Sequence, residues 1–299
     1  MSDFLQYCLT GISVGMIYAL IASGFSLIYR VTNVINFAQG EFIMLGGMLM
    51  ILFNHFLKWN IFLSVILVLI IVVLVAFLLE ELTLKPFKND DVLIKIIFTI
   101  GASILIRGIS MVVFWKEPGL RYESFFTDQN FKILGASITL QDIFIISVSI
   151  IIFVLLFIFM EKTITGKAMR ATAINLKASK IIGINVNLTL KLSFILSGLL
   201  GAIAGIIITP KLGMSYDSGI FWGIKGFTAA ILGGLDSGVS VIFGGLLLGL
   251  LEAFITGYGA NISFGLFKSE YRDVVICAIL IIFLILKPNG ILSKRSDRV

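Results

Sequence analysis

The chain has 299 residues, enough for two average soluble domains, but 59% of them are hydrophobic, only 13% are charged, and the mean hydropathy is +1.08. About a quarter of a soluble globule is charged, so this composition excludes both a water-soluble fold and a disordered chain. Twenty-three Lys and Arg against 17 Asp and Glu leave a net charge of +6, which in so apolar a chain is read loop by loop as a membrane-orientation signal, not as a nucleic-acid footprint.

Several apolar runs approach or exceed the ~18 to 20 residues needed to cross a hydrocarbon core, which predicts an all-α, polytopic membrane protein of about eight to ten transmembrane helices. The first run, Phe4 to Tyr29, carries Gly11 and Gly15 four apart, a spacing that lets a neighbouring helix approach closely. Its amino-terminal flank has no basic residue, so it is read as a retained span. The second run, Val34 to Phe53, is interrupted by Asn36, Gln39, Gly40 and Glu41. A carboxylate at the centre of a lipid-embedded helix costs at least ~2.5 kcal/mol, so this polar group is expected either to line a path, with Gly40 opening the backbone, or to fix helix packing.

The third run, Ile61 to Leu79, is nearly featureless and is expected to face lipid; the fourth, Val92 to Trp115, carries Arg107. The stretch from Lys116 to Asp142 is neutral to acidic and is placed outside, and the fifth run, Ile143 to Met160, again looks lipid-facing. Between Glu161 and Lys191 stand Lys162, Lys167, Arg170, Lys177, Lys180 and Lys191, against Glu161 alone, which marks this loop as cytoplasmic. From Ala168 to Ile182 it has neither proline nor glycine, which predicts one amphipathic helix capped by Gly183. Met169, Ala173 and Leu176 share one face; Ile174, Ala178 and Ile181 form another. The small alanines favour docking on a protein partner over lying on lipid.

The remaining runs are Leu192 to Thr209, Ile220 to Leu235, Val239 to Ile255 and Val274 to Leu286. An even number of crossings puts the basic loop and the basic tail on one side, and five crossings before the loop put the amino terminus outside. The stretch Gly226 to Gly238, with Gly233 and Gly234 adjacent, is a second candidate for the path or else a plain turn. A weak internal repeat aligns Gly40, Gly46, Gly47 and Leu49 with Gly238, Gly244, Gly245 and Leu247. Arg107 and Glu252 are expected to be structural ion-pair members.

Cys8 and Cys277 both lie in apolar runs and His55 is the only histidine, so neither a disulfide framework nor a histidine metal cluster is expected. No phosphate-binding loop is present: Thr165-Gly166-Lys167-Ala168 lacks the upstream glycine and the hydroxyl. No enzyme constellation appears either, so a pump built on this chain takes its energy from another subunit.

Taken together, these residues resemble the LivH-type permeases of the branched-chain amino-acid ATP-binding-cassette importers. The resemblance rests on Gly15 to Ala22 with Gly24, on Asn33-Val34-Ile35-Asn36-Phe37-Ala38-Gln39-Gly40-Glu41-Phe42, and on Gly166 to Asn185. Phe227 to Leu235, Gly244 to Glu252, Tyr271-Arg272-Asp273 and Lys287-Pro288-Asn289-Gly290 complete it. It implies a single transmembrane permease domain over residues 1–299, in the bacterial plasma (inner) membrane, with its coupling loop at 161–191. The implied partners are a related second permease subunit, two cytoplasmic ATPase subunits that bind the ATP, an external substrate-binding protein and membrane lipid, with no cofactor of its own and no nucleic acid. The substrate path then falls to Asn36, Phe37, Gln39, Gly40, Glu41, Gly233 and Gly234, and ATPase coupling to Met169, Arg170, Ala173, Asn175, Leu176, Ala178 and Gly183. Gln39 stands where relatives often have His, and Asp236 to Ser240 lacks a proline and second glycine common there. Similar permeases carry urea or short amides, and an ion-gradient-driven secondary transporter with Glu41 as its proton or cation site is the competing expectation.

Overall fold

The computed structural model describes residues 2–83, 86, 91–113, 119–126, 130–133, 135–262, 272–286 and 290. Lys85, Lys88, Asp90, Trp115 to Glu117, Asp128, Tyr271, Lys287 to Asn289 and the basic tail after Gly290 lie outside the described residues. The helices in chain order are α1 (Ser2–Thr32), α2 (Gln39–Met50), α3 (Ile61–Thr83), α4 (Val92–Val113), α5 (Leu140–Lys162), α6 (Ile164–Ile174) and α7 (Leu176–Ile181). They continue with α8 (Val186–Leu212), α9 (Ser218–Gly233), α10 (Gly238–Ile262) and α11 (Arg272–Leu286). A π-helical turn, Ile51–Phe56, extends α2, and a short antiparallel hairpin pairs β1 (Asn130–Ile133) with β2 (Ala136–Thr139).

Six of the described helices, α1, α3, α4, α5, α8 and α10, are long and apolar enough to cross a bilayer. The chain is an all-α, multi-pass membrane protein. Helices α1 and α8 form its buried centre, while α3, α4 and α5 expose most of their apolar side chains around it. Small residues make the central contacts. On α1, Gly11 and Gly15 lie against Leu250 and Leu246 of α10; on α8, Gly201 and Gly205 receive Phe42 and Ile43 of α2. A side chain at any of these glycines would force the helices apart, because close backbone approach is what holds apolar helices together in lipid. The third run is less featureless than its sequence suggests: Val68, Val72 and Ala76 recur at four-residue spacing and are buried, with Gly198 of α8 packed on Ala76.

Side-chain contacts fix which helix ends lie together. Gln6 of α1 bonds to the backbone of Ser137, Ser13 donates to Asp142 at the start of α5 at 2.5 Å, and Lys211 near the end of α8 pairs with the same Asp142. Also at this end Tyr122 donates to the Ile206 carbonyl at 2.5 Å, and burial pushes its hydroxyl far above the ordinary tyrosine range, so it stays neutral. At the opposite end Ser26 of α1 bonds to Leu235, Arg170 of α6 pairs with Glu161, and Lys191 of α8 pairs with Glu81 of α3. The loop carrying α6 and α7 and the described residues between Gly119 and Thr139 therefore occupy opposite ends of the molecule.

The packing is that of two inverted halves. Helix α1 packs on α9 and α10, while α8 packs on α2 and α3; α1 meets α8, and α2 meets α9. Exchanging α1 with α8, α2 with α9, α3 with α10 and α4 with α11 reproduces the same neighbours. The alignment of Gly40 with Gly238 pairs α2 with α10, which is not the correspondence the packing shows: the counterpart of α2 is α9. Glycines recur in α1, α2, α8, α9 and α10 alike, so an alignment of glycines alone finds contacts and not registers.

Candidate functional site

The second apolar run does not form one continuous span. Helix α1 ends at Thr32, and Asn33 turns into the left-handed region at φ 54, with its amide bonded to the Tyr29 carbonyl at 2.7 Å. Asparagine tolerates that conformation better than other residues with side chains. The Asn36 side-chain oxygen then accepts from the Ala38 amide at 3.0 Å, a local turn that launches α2 at Gln39. Gly40 is thus helical and does not open the backbone; the break precedes it and is made by the two asparagines. Gly40 serves close packing instead, since a Cβ there would strike the carbonyl oxygen of Gly219.

Helix α2 begins inside the membrane. The Gln39 amide nitrogen donates to the Ser197 carbonyl at 3.3 Å, and the Ser197 hydroxyl bonds to Gln39 and, at 3.0 Å, to the Gly24 carbonyl. Gly24 and Ser197 both lie well within α1 and α8. Helix α9 also starts there, Gly219 and Gly223 lying against Gly40, so two half-helices meet first turn to first turn between α1 and α8. Interrupted helices paired in this way are the usual construction of a transport site in a membrane protein.

Glu41 stands at that junction. It is 1% exposed; its Oε1 accepts from Ser103 at 2.8 Å and from Arg107 at 3.3 Å, both on α4, and Arg107 also bonds to Ser103 at 3.1 Å. Its Oε2 has no hydrogen-bond partner among the described residues and abuts Gly219 at the start of α9. Asn36 is equally buried, with Nδ2 unpartnered among the described residues, whereas Phe37 is 43% exposed, its ring 6.1 Å from that of Phe227 and its amide bonded to Thr99. Asn36, Phe37, Gln39, Gly40 and Glu41 are therefore brought together at the half-helix junction.

A second charged group, absent from the sequence expectations apart from Glu252, lies nearby. Lys225 of α9 donates to Glu252 of α10 at 2.8 Å, and Tyr18 of α1 donates to the other carboxylate oxygen at 2.5 Å, all three being buried. The Lys225 ammonium also sits 4.1 Å from the centre of the Phe221 ring. Lys225 occurs in an otherwise apolar run, and a lysine there is itself the signal that a buried acid awaits it.

Gly233 and Gly234 are not part of the junction. They close α9 about 20 Å along the helix from Gly219, given 1.5 Å per residue. Gly234 takes φ 98 and caps the helix, and Gly233 lies against Ser240 and Val241 of α10. Their role in this structure is a tight turn between α9 and α10.

The basic loop holds two helices and not one. Asn175 breaks the predicted helix: it ends α6 and caps α7, its side chain accepting from the Ala178 amide at 2.9 Å. Gly183 follows α7 at φ 86, with its amide bonded to Lys180 at 3.2 Å and the Ile184 amide bonded to Ser179 at 3.0 Å. Met169 points inward and is 2% exposed, in contact with a small hollow lined by Leu27, Arg30 and Met160, while Ala173 and Leu176 are half-buried. Thr172 accepts from Thr189, joining α6 to the first turn of α8. Asn175, Ala178 and Gly183 are exposed, and so are three large apolar side chains, Ile174, Ile181 and Ile182, at 81%, 86% and 73%. Met169 thus fastens the loop to the membrane body, and the isoleucines form its outer surface.

Residues 7–284 match the family described as the permease component of branched-chain amino acid transport systems. The chain is 33% identical to the high-affinity branched-chain amino acid transport system permease protein BraD of Pseudomonas aeruginosa, over 97% of this chain and 96% of that protein. It is 32% identical to the corresponding LivH of Escherichia coli K12, with the same coverage, and 30% identical to a probable branched-chain amino acid permease LivH of Methanocaldococcus jannaschii, over 91% of this chain and 87% of that one. With the family's match spanning residues 7–284 and relatives 30–33% identical over nearly their full length, the present chain belongs to the branched-chain amino acid permease family.

Proposed function

We propose that this chain is the transmembrane path of an ATP-binding-cassette importer of branched-chain amino acids, acting as one permease domain in the bacterial plasma (inner) membrane. An external binding protein delivers the substrate, a related second permease subunit completes the path, and two cytoplasmic ATPase subunits supply the energy. The observation that carries this reading is the α6–α7 pair. It sits at the basic end, presents Ile174, Ile181 and Ile182 with Ala178 among them to solvent, and is tied to α8 through Thr172 and Thr189. Exposed branched aliphatics clustered in this way mark a surface that a partner covers.

The path residues are Asn36, Phe37, Gln39, Gly40 and Glu41. Phe37 and Phe227, at the open side of the junction, face the second permease, and the buried amides and carboxylate behind them receive the polar ends of the amino acid. Closure of the ATPases swings α6–α7, with Arg170, Ala173, Asn175, Leu176, Ala178 and Gly183 moving as one surface fastened by Met169. Helix α8 then moves Ser197, and with it Gln39, so the start of α2 shifts against α9.

Replacing Ala178 by Glu places a charge on the docking surface. In the reconstituted importer, ATP-driven leucine uptake is expected to fall about ten-fold or more, a loss of roughly 1.4 kcal/mol in coupling. Membrane insertion and helical content should not change. Full coupled uptake by the Ala178→Glu protein would remove α6–α7 as the docking surface.

A further inference from the structure

Buried polar atoms are almost always hydrogen-bonded, yet two at the start of α2, Asn36 Nδ2 and Glu41 Oε2, have no partner among the described residues. One is a donor and the other an acceptor. Which end of the Asn36 amide is free is fixed by its other end, since Oδ1 accepts from the Ala38 amide at 3.0 Å. Glu41 is held in a similar way: Ser103 and Arg107 both engage Oε1 and leave Oε2 beside Gly219, where a Cβ would collide with it. Any other residue at position 219 would cover that oxygen. Helix α4 gauges how far apart the two free atoms stand. The Phe37 amide, next to Asn36, bonds to Thr99 at 3.2 Å, and Glu41 bonds to Ser103 at 2.8 Å. Thr99 and Ser103 are one helical turn apart, about 6 Å along the axis. An α-amino acid carries its ammonium and carboxylate on one carbon, and with a hydrogen bond of about 2.8 Å at each end it bridges two groups so spaced.

We infer that the junction recognises the α-amino acid zwitterion itself: Glu41 Oε2 accepts from the ammonium, and Asn36 Nδ2 donates to the carboxylate. The carboxylate then also lies before the positive end of α2. This assignment rests on the transport reading above and names the two atoms that do the recognising. Separation of α2 from α9, the movement that reading requires, uncovers Oε2, because Gly219 lies against it. Arg107 balances the charge of Glu41 through Oε1, so a ligand with both charges enters a neutral site and keeps it neutral. A ligand with only one charge brings an uncompensated ion into that site and leaves one of the two buried groups unpaired, with the penalty such groups carry. Urea offers Glu41 a neutral donor in place of an ammonium.

The test measures binding by the permease pair with its ATPases in nanodiscs, without the binding protein, so that the selectivity read is that of the membrane path. The ligands are leucine, 4-methylpentanoate, which is leucine without its amine, isoamylamine, which is leucine without its carboxylate, and urea. In the unaltered assembly leucine is expected to bind about ten-fold or more tighter than each of the other three. Glu41→Gln should weaken leucine about ten-fold and leave 4-methylpentanoate unchanged. Asn36→Asp, which keeps the oxygen that accepts from Ala38, should weaken leucine by a similar factor and leave isoamylamine undiminished. A packing role would instead move all four ligands together. Leucine bound no tighter than a single-charge analogue or urea would overturn the inference, as would a uniform loss in both variants, or no leucine binding by an assembly that imports leucine once its binding protein is added. The analogue series in the unaltered assembly decides the matter even where a variant fails to fold. Each of these results leaves the transport reading standing as long as the complete importer accumulates leucine with ATP, and failure of that accumulation is what would end it.

Discussion

Among the described residues the buried charges of Glu41, Asp142, Lys225 and Glu252 are each answered by a specific partner, and the energetics of that answer can be measured. Removing one member of a buried pair leaves the other uncompensated at a cost of about 3–5 kcal/mol, whereas removing both can be nearly neutral. Arg107→Leu alone is therefore expected to destabilise the protein strongly, because Glu41 is 1% exposed with one oxygen already unpartnered among the described residues. The double replacement Glu41→Leu with Arg107→Leu should recover most of the thermal stability in detergent while leaving uptake low. Recovery of uptake along with stability would show that Glu41 serves packing alone. Gly40→Ala tests the junction itself: the added methyl meets the Gly219 carbonyl and stands 2.9 Å from the Gly223 Cα, so α2 and α9 must separate. Overpacking of this kind costs about 1–3 kcal/mol, and loss of transport with retained insertion is the expected result; unchanged uptake per molecule would contradict the close contact.

Elements were read from sequence where their signal is local and composite. The spans announce themselves by length and hydropathy, Gly183 by its place after a lysine-bearing turn, and the central packing by Gly11 and Gly15. Less legible is where asparagine places the breaks inside otherwise continuous patterns: Asn36 is visible as an interruption, but not that the break precedes Gly40. Asn33 turns the chain just before the second run, Asn36 breaks that run near its start, and Asn175 divides the basic loop, each through a side-chain or left-handed turn that hydropathy does not register. The partners of Arg107 and Glu252 are not legible either: Arg107 meets Glu41 and Lys225 meets Glu252 only once the helices within each half pack together. Gly233 and Gly234 make the plain turn that was one of the two readings the sequence leaves open, because adjacent glycines mark a turn without saying at which depth it lies. For the loop helices, Gly183→Pro is expected to uncouple transport, since proline cannot adopt φ 86 and loses the amide bond to Lys180. Circular dichroism should show the spans intact, and coupled uptake at the unaltered level would contradict a mechanical role for α7.

At the scale of the molecule, the two inverted halves place one half-helix start from each beside the other, with Asn36 and Glu41 buried at the junction. A chain built so has a junction to open but, in its sequence, no phosphate-binding loop with which to drive it. The exposed isoleucines of α6 and α7 lie at the one end where the positive residues collect, and that is where a cytoplasmic ATPase would push. The decisive measurement is leucine uptake into proteoliposomes, comparing this chain alone with the chain assembled with its second permease, ATPases and binding protein. The account predicts accumulation only in the full assembly, dependent on ATP and indifferent to ionophores. Accumulation by this chain alone, driven by an ion gradient and abolished when that gradient collapses, would contradict it.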